Sequence, residues 1–238
     1  MQQVLKTSRR PSGEPEIFHS IQGEGVTAGT PSVFLRLSTC NLACTWCDTR
    51  YTWDWDNHDY DREVVALDAE DVEQRILGFR CPHLVITGGE PLIQQKALAP
   101  LVYSLKRRGV YCEVETNGTL PPEPDMVDAV SQWNVSPKLV NSGVAADRRE
   151  TPAALESFRD LDSAYFKFVV VEPADVEEVA GLVDRYDIPP GRVVLMPEGV
   201  TVEAVTMRAG WLAQVCVERG YRFSTRLHIL LWGDERGR

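Results

Sequence analysis

Residues 33–47 read Val33-Phe34-Leu35-Arg36-Leu37-Ser38-Thr39-Cys40-Asn41-Leu42-Ala43-Cys44-Thr45-Trp46-Cys47. The first five form an apolar run interrupted only by Arg36, the pattern of a strand buried on both faces. A loop carrying three cysteines spaced C-x3-C-x2-C follows directly. Three thiolates so close together can hold three irons of a cubane cluster and leave the fourth iron without a protein ligand. A structural metal site closes its coordination sphere, whereas a catalytic one keeps a position open for a ligand. Zinc and coincidence stay open as readings of the loop. Zinc, however, usually takes a second pair of ligands further along, and Cys81, Cys112 and Cys216 stand alone among apolar neighbours. These three read as small core residues.

Five more strand-like runs recur at long intervals: 84–87, 111–116, 133–136, 165–171 and 192–196. Most are too uniformly apolar to have one wet face, which predicts parallel strands covered on both sides. Helical patterns fill most gaps. Asp68 can cap a helix running to about Phe79, and residues 94–108 end in basic residues followed by Gly109. Asp175 and Glu178 suggest a capping box for 176–186. Thr201 can cap a helix to about Arg219, again with a glycine after it. Alternating strand and helix gives a parallel α/β sheet or a partial barrel of about six strands.

In such folds the chemistry gathers in loops after the strand C-termini. The distinctive residues fall there. The cysteine loop follows the first strand, Thr87-Gly88-Gly89-Glu90-Pro91 the second, and Glu115-Thr116-Asn117-Gly118 ends the third. Ser136-Pro137-Lys138 ends the fourth, Lys167 lies on the fifth, and Met196-Pro197-Glu198-Gly199 ends the sixth. Any one of these alone is ordinary turn chemistry; their joint order is not. Lys167, flanked by Phe166 and Phe168, must pair with something, because a buried unpaired ammonium is costly. The acidic, aromatic stretch 48–63 has no helical period and reads as a long irregular loop of functional type, with His58 exposed rather than a ligand.

The chain has 238 residues, the size of one domain, with residues 1–15 reading as a flexible arm. A net charge of −10 disfavours a protein whose task is gripping nucleic acid. No apolar stretch approaches the ~20 residues needed to span a bilayer. With no secretory signal visible and a full-sized core, a reducing cytoplasm is the expected compartment and disulfides are not expected.

The cysteine spacing, with Trp46 just before the last cysteine, and Gly88-Gly89-Glu90-Pro91 resemble the radical S-adenosylmethionine (SAM) enzymes. The likeness extends over residues 20 to 232, towards members of that family that act on a pterin. Ser20-Ile21-Gln22-Gly23-Glu24-Gly25 resembles their entry motif, and an arginine, Arg36, stands four residues before the first cysteine. Cys47-Asp48-Thr49 with Tyr51-Thr52-Trp53, and Leu227-His228 with Leu231-Trp232, resemble their later segments.

The resemblance implies a partial parallel (β/α)6 barrel of the radical SAM type, modified around the cluster loop. It implies a 4Fe-4S cluster on Cys40, Cys44 and Cys47, and Mg²⁺ on Thr49. S-adenosylmethionine would be bound by Gly88, Gly89 and Glu90, with Glu115, Asn117, Ser136, Lys138 and Lys167 following by position. Ile21, Gln22, Gly23, Glu24, Arg36, Thr87 and His228 would meet the substrate, with Arg36, Glu24 and His228 closest to the chemistry. For His228 a satisfied core histidine in an apolar strand is the competing reading. The implied reaction turns 6-carboxy-5,6,7,8-tetrahydropterin into 7-carboxy-7-deazaguanine with loss of ammonia. A 5′-deoxyadenosyl radical drives the ring contraction, in queuosine or 7-deazapurine biosynthesis. The implied partners are a reductant such as flavodoxin or ferredoxin and a second copy of the chain as a homodimer, with neither nucleic acid nor membrane. Two rivals stand beside this reading: another small radical enzyme, such as a glycyl-radical activase, and a non-catalytic zinc- or cluster-binding module. The module gives no reason for these motifs to follow successive strands.

Overall fold

A computed structural model describes residues 3–238, and in it ten strands share one sheet. They are β1 (Val4–Ser8), β2 (Ile17–Ile21), β3 (Pro31–Leu37), β4 (Val64–Asp68), β5 (His83–Gly88), β6 (Tyr111–Thr116), β7 (Gln132–Val135), β8 (Ala164–Val170), β9 (Val193–Pro197) and β10 (Arg222–Phe223). Six of them, β3 and β5 to β9, lie parallel and adjacent in chain order, at the positions the apolar runs predict. Each crossover therefore adds a strand on the same side, which is how a barrel wall grows. The sheet ends at β4 on one side and β10 on the other, so the wall is a partial (β/α)6 barrel with an open seam.

These strands are mostly buried, but their two faces differ. Successive side chains point to opposite faces of a strand. Leu35 and Leu37, Leu84 and Ile86, Cys112 and Val114, Phe166 and Phe168 join the main core beneath the helices. Their alternates Arg36, Thr87, Glu113, Glu115 and Lys167 face the other way, into the barrel. The outer face packs on the helices Ala69–Gly78, Gln95–Arg107, Pro173–Arg185 and Val202–Arg219, which supply Ile76, Leu98, Leu105, Val179 and Leu212. An apolar outer face thus holds the wall together, and a polar inner face is left for ligands.

The structure corrects several local expectations. Val4–Ser8 is no arm: β1 pairs antiparallel with β4 along five residues and touches β3 at Thr7. Leu5 is fully buried in the main core. Strand β2 also pairs antiparallel with β3. The capping box of the Pro173–Arg185 helix sits one turn earlier than expected, with Glu172 as the cap and Asp175 reciprocating. Leu227–Trp232 is a short helix, not a strand. The 48–63 stretch holds one turn of 3-10 helix, Arg50–Thr52, and one of α-helix, Tyr60–Glu63. No helix of the described residues is long and apolar enough to cross a membrane.

The strand reading of the N-terminus is testable. Leu5→Ala should lower stability by about 2–5 kcal/mol, the cost of a buried leucine cavity. A truly mobile arm would show a change within about 0.5 kcal/mol. Urea unfolding of the two proteins separates these outcomes.

Candidate active site

One cavity opens at the C-terminal ends of the parallel strands, with Cys40, Cys44 and Cys47 on one wall. Thr39, between β3 and Cys40, has φ +75°, a conformation a β-branched residue adopts only when its surroundings hold it. The holding contacts are visible. Thr39 N donates to Thr52 O at 2.7 Å, Gly89 N to Leu37 O at 3.0 Å, and Glu90 N to Thr39 O at 2.8 Å.

The Gly88-Gly89 pair earns its composition from this contact. A Cβ on Gly88 would lie 2.0 Å from Leu37 O, and one on Gly89 1.8 Å from Thr39 O. Gly88 also has φ +131°, which other residues rarely adopt. The end of β5 therefore presses backbone on backbone against the root of the cysteine loop, and both glycines border the cavity.

The cysteine set fits a cluster with three protein ligands. Burial pushes the Cys40 thiol up to about 12 and raises Cys44 as well, so in the absence of a metal cation these are neutral thiols. A bound cation reverses that balance and takes the thiolate. N–H donors already surround the sulfurs. Trp53 Nε1 donates to Cys47 Sγ at 3.2 Å, and Leu42 N donates to Cys40 Sγ at 3.5 Å. The other cysteines lie elsewhere: Cys112 and Cys216 are in the core, and the Cys81 thiol donates to Pro31 O. Beside this wall, Lys138 Nζ donates to Ser136 O and Oγ at 2.9 and 3.0 Å and sits over the Trp46 ring.

The opposite wall is a chain of alternating charge. Asp48 pairs with Arg226, Arg226 Nε with Glu24 at 3.1 Å, Glu24 with Lys167, and Lys167 lies 4.0 Å from Glu115. This answers what Lys167 pairs with: a carboxylate of the entry motif, 143 residues away in sequence. Burial acts to raise the Glu24 carboxyl, but the Lys167 and Arg226 cations outweigh it and hold Glu24 well below the usual carboxylate range. Burial holds His228 below its ordinary 6.5 despite the pull of Glu24, so its ring is neutral at pH 7. That ring packs on Gly23, where a Cβ would lie 2.1 Å from Nδ1.

Neighbouring groups are partly committed. The Gln22 amide donates to Glu113 at 2.7 Å and to Glu115 at 3.3 Å, and its oxygen accepts from Glu24 N at 3.2 Å. Gln22 thus braces the entry motif. Thr87 Oγ1 donates to Glu115 at 2.7 Å. Arg36 is bound through Nε to Glu16 at 2.9 Å, while its guanidinium faces the cavity. Thr49 and Ile21 also line it, as does Asn117, whose amide donates to Asn41. Stacked Phe18 and Phe34, 5.1 Å apart, give it an apolar patch.

One expected residue is not there. Glu90 is fully buried outside the cavity lining, and it accepts from Leu92 N, Thr116 Oγ1 and Asn117 N at 2.7–2.9 Å. Burial raises its pKa against those bonds. Its carboxylate caps the turn Pro91–Gln94 and ties β5 to β6. Conversely, sequence reading missed Arg226. It joins Glu24, Asp48 and Gly199 O, and a lone arginine between Thr225 and Leu227 carries no local signal of that.

The Radical SAM superfamily model matches residues 36–161. The 7-carboxy-7-deazaguanine synthase of Pyrobaculum aerophilum is 42% identical over 226 residues, covering 94% of this chain and 96% of that protein. The enzyme of the same name from Escherichia coli K12 is 31% identical, covering 91% and 96%. A crystal structure of QueE from Escherichia coli superposes with a TM-score of 0.71 at 28% identity, covering 94% of this chain and 95% of that one. The chain belongs to the radical SAM superfamily and, within it, to the 7-carboxy-7-deazaguanine synthase family.

Proposed function

We propose that this cavity converts 6-carboxy-5,6,7,8-tetrahydropterin to 7-carboxy-7-deazaguanine and ammonia, with the pterin held between the cysteine wall and the charged wall. The observation that carries the reading is that both walls line one cavity: three cysteines fit for a 4Fe-4S cluster face Glu24, Arg36 and His228. When bound, the cluster and S-adenosylmethionine supply the electron and the group that takes hydrogen from C6 of the pterin. The protein supplies position and charge.

On the substrate side, the substrate carboxylate needs a fixed cation. Arg36 offers one: Nε is committed to Glu16, and the Nη1/Nη2 end of its planar fork is left for a carboxylate. The amidine-like edge of the pterin is rich in N–H donors, and Glu24, held ionised, accepts from it. Phe18 and Phe34 offer an apolar surface for the flat ring system. His228, neutral at pH 7, can donate or accept beside Glu24. Glu115 belongs with this group rather than with S-adenosylmethionine, because its partners are Thr87, Gln22 and Lys167. Lys167 likewise acts by fixing Glu24.

On the cofactor side, the Gly88-Gly89 backbone, Asn117, Ser136 and Lys138 surround the cysteine wall and receive S-adenosylmethionine. The Thr49 hydroxyl, 3.6 Å from Cys47 Sγ, would be the protein ligand for Mg²⁺, a hard cation that takes oxygen ligands and would help neutralise the substrate carboxylate. The electron comes from outside the chain, from a flavodoxin- or ferredoxin-type donor. A homodimer in a reducing cytoplasm fits this reading.

The charge chain has a stated pH window. Glu24, depressed in the fold, contributes its full stability above its ordinary value of 4.5 and loses it as pH falls through the folded value. Burial acts to lower the Lys167 pKa, but Glu24 and Glu115 outweigh it, so Lys167 contributes fully below its ordinary 10.5 and loses that as pH rises. Lys167→Met should therefore cost about 3–5 kcal/mol at pH 7, as removal of one partner of a buried pair does. The deficit should shrink as pH falls well below 4.5, where Glu24 begins to protonate. A deficit independent of pH, in denaturant titrations across that range, would contradict the pairing.

Anaerobic turnover of the iron- and sulfide-reconstituted protein tests the reaction itself. With S-adenosylmethionine, dithionite, Mg²⁺ and the carboxylated tetrahydropterin, mass spectrometry should find 7-carboxy-7-deazaguanine, and Cys44→Ala should abolish it. Formation of 5′-deoxyadenosine without that product would keep the superfamily chemistry and refute the substrate.

A further inference from the structure

Glu16 is a fully buried carboxylate with three partners on three different segments. Its Oε1 accepts from Arg36 Nε at 2.9 Å and from Tyr51 Oη at 3.0 Å, and its Oε2 accepts from Arg236 Nε at 3.1 Å. The backbone adds a further tie: Arg36 N donates to Glu16 O at 3.1 Å. Arg236, near the C-terminus, is itself held from several sides. Nη1 meets Glu63 at 3.0 Å, Nη2 donates to Arg9 O, and the guanidinium lies 3.3 Å from the Tyr51 ring centroid. Stacking of that kind suits a planar guanidinium.

We propose that Glu16 is a positioning residue for recognition of the substrate carboxylate, acting through Arg36, and that Arg236 and Tyr51 hold Glu16 in place. The inference rests on the reading that Arg36 receives that carboxylate. An arginine side chain has many rotamers, and ordering it at the moment of binding weakens the complex. Glu16 removes that cost beforehand. It takes the Nε side of the fork and leaves the far edge to face the cavity. The same C-terminal segment thus serves the site twice, with His228 at one end and the Arg236 anchor at the other. Glu16 touches neither the cavity nor the reacting atoms, so its effect should appear in recognition of one group rather than in chemistry.

The test compares two ligands on reconstituted enzyme under anaerobic calorimetry: 6-carboxytetrahydropterin, and tetrahydropterin without the carboxylate. Glu16→Gln should weaken the first by about ten- to a hundredfold, the scale of one charge-assisted hydrogen bond. It should leave the second within about twofold. In turnover, KM should rise more than kcat falls. Arg236→Met, which alters a part-exposed residue, should shift the ratio of the two affinities in the same direction, and it decides the matter if Glu16→Gln does not fold. Equal weakening of both ligands, or an unchanged ratio in both variants, would overturn the proposal. Arg36→Met separates the levels. If it abolishes discrimination while Glu16→Gln and Arg236→Met keep it, the positioning role fails alone. If Arg36→Met keeps discrimination, the assignment of Arg36 to the carboxylate fails first and takes the positioning role with it.

Discussion

Five charged groups in one barrel mouth, with Lys167 and Arg226 buried, Glu24 and Glu115 part-buried and Asp48 at the rim, constrain everything around them. Asp48, Arg226, Glu24, Lys167 and Glu115 alternate in sign, and each comes from a different part of the chain. Taking such groups out of water costs several kcal/mol apiece unless each has a partner in good geometry. The chain is therefore stable only when the entry loop, the loop after Cys47, strands β6 and β8, and the segment before the last helix all reach their places together. Folding the wall and assembling the ligand-binding surface become one event. The cost is accepted because the resulting surface is rigid and charged before any ligand arrives.

The inner and outer faces of the parallel wall divide the labour. Leu35, Val114 and Phe168 bury the outer face under helices, while Arg36, Glu115 and Lys167, one residue away, serve the inner face. A one-residue slip in register would place charges under the helices and leucines in the cavity. The apolar cost of that slip is what fixes the polar geometry.

Much of this was legible from sequence, for a physical reason. Six strands could be read because both faces are buried, so most appear as short, largely apolar runs, and each is ended by a distinctive loop. The loops could be read because parallel walls put their chemistry at strand C-termini. Strands β1, β2 and β4 were not legible: they are short, only partly buried, and broken by Lys6, His19 or Asp68. The need of Lys167 for a partner could be read from its neighbours, but the identity of Glu24 could not, since only the fold brings residues so distant together. Arg226 gave no signal at all. Glu90 stands apart from the cavity lining. Its motif marks the family, yet here its carboxylate is spent on Leu92, Thr116 and Asn117, and the Gly88-Gly89 pair owes its identity at least as much to the backbone of Leu37 and Thr39 as to any ligand.

The central claim is that both walls act on one substrate molecule between them. Turnover of the carboxylated tetrahydropterin deuterated at C6 examines this most directly, with the mass of the 5′-deoxyadenosine read out. The account predicts one deuterium carried from the pterin into 5′-deoxyadenosine, because the substrate held by Glu24 and Arg36 lies against the group bound at the cysteine wall. Unlabelled 5′-deoxyadenosine alongside full product formation would contradict it.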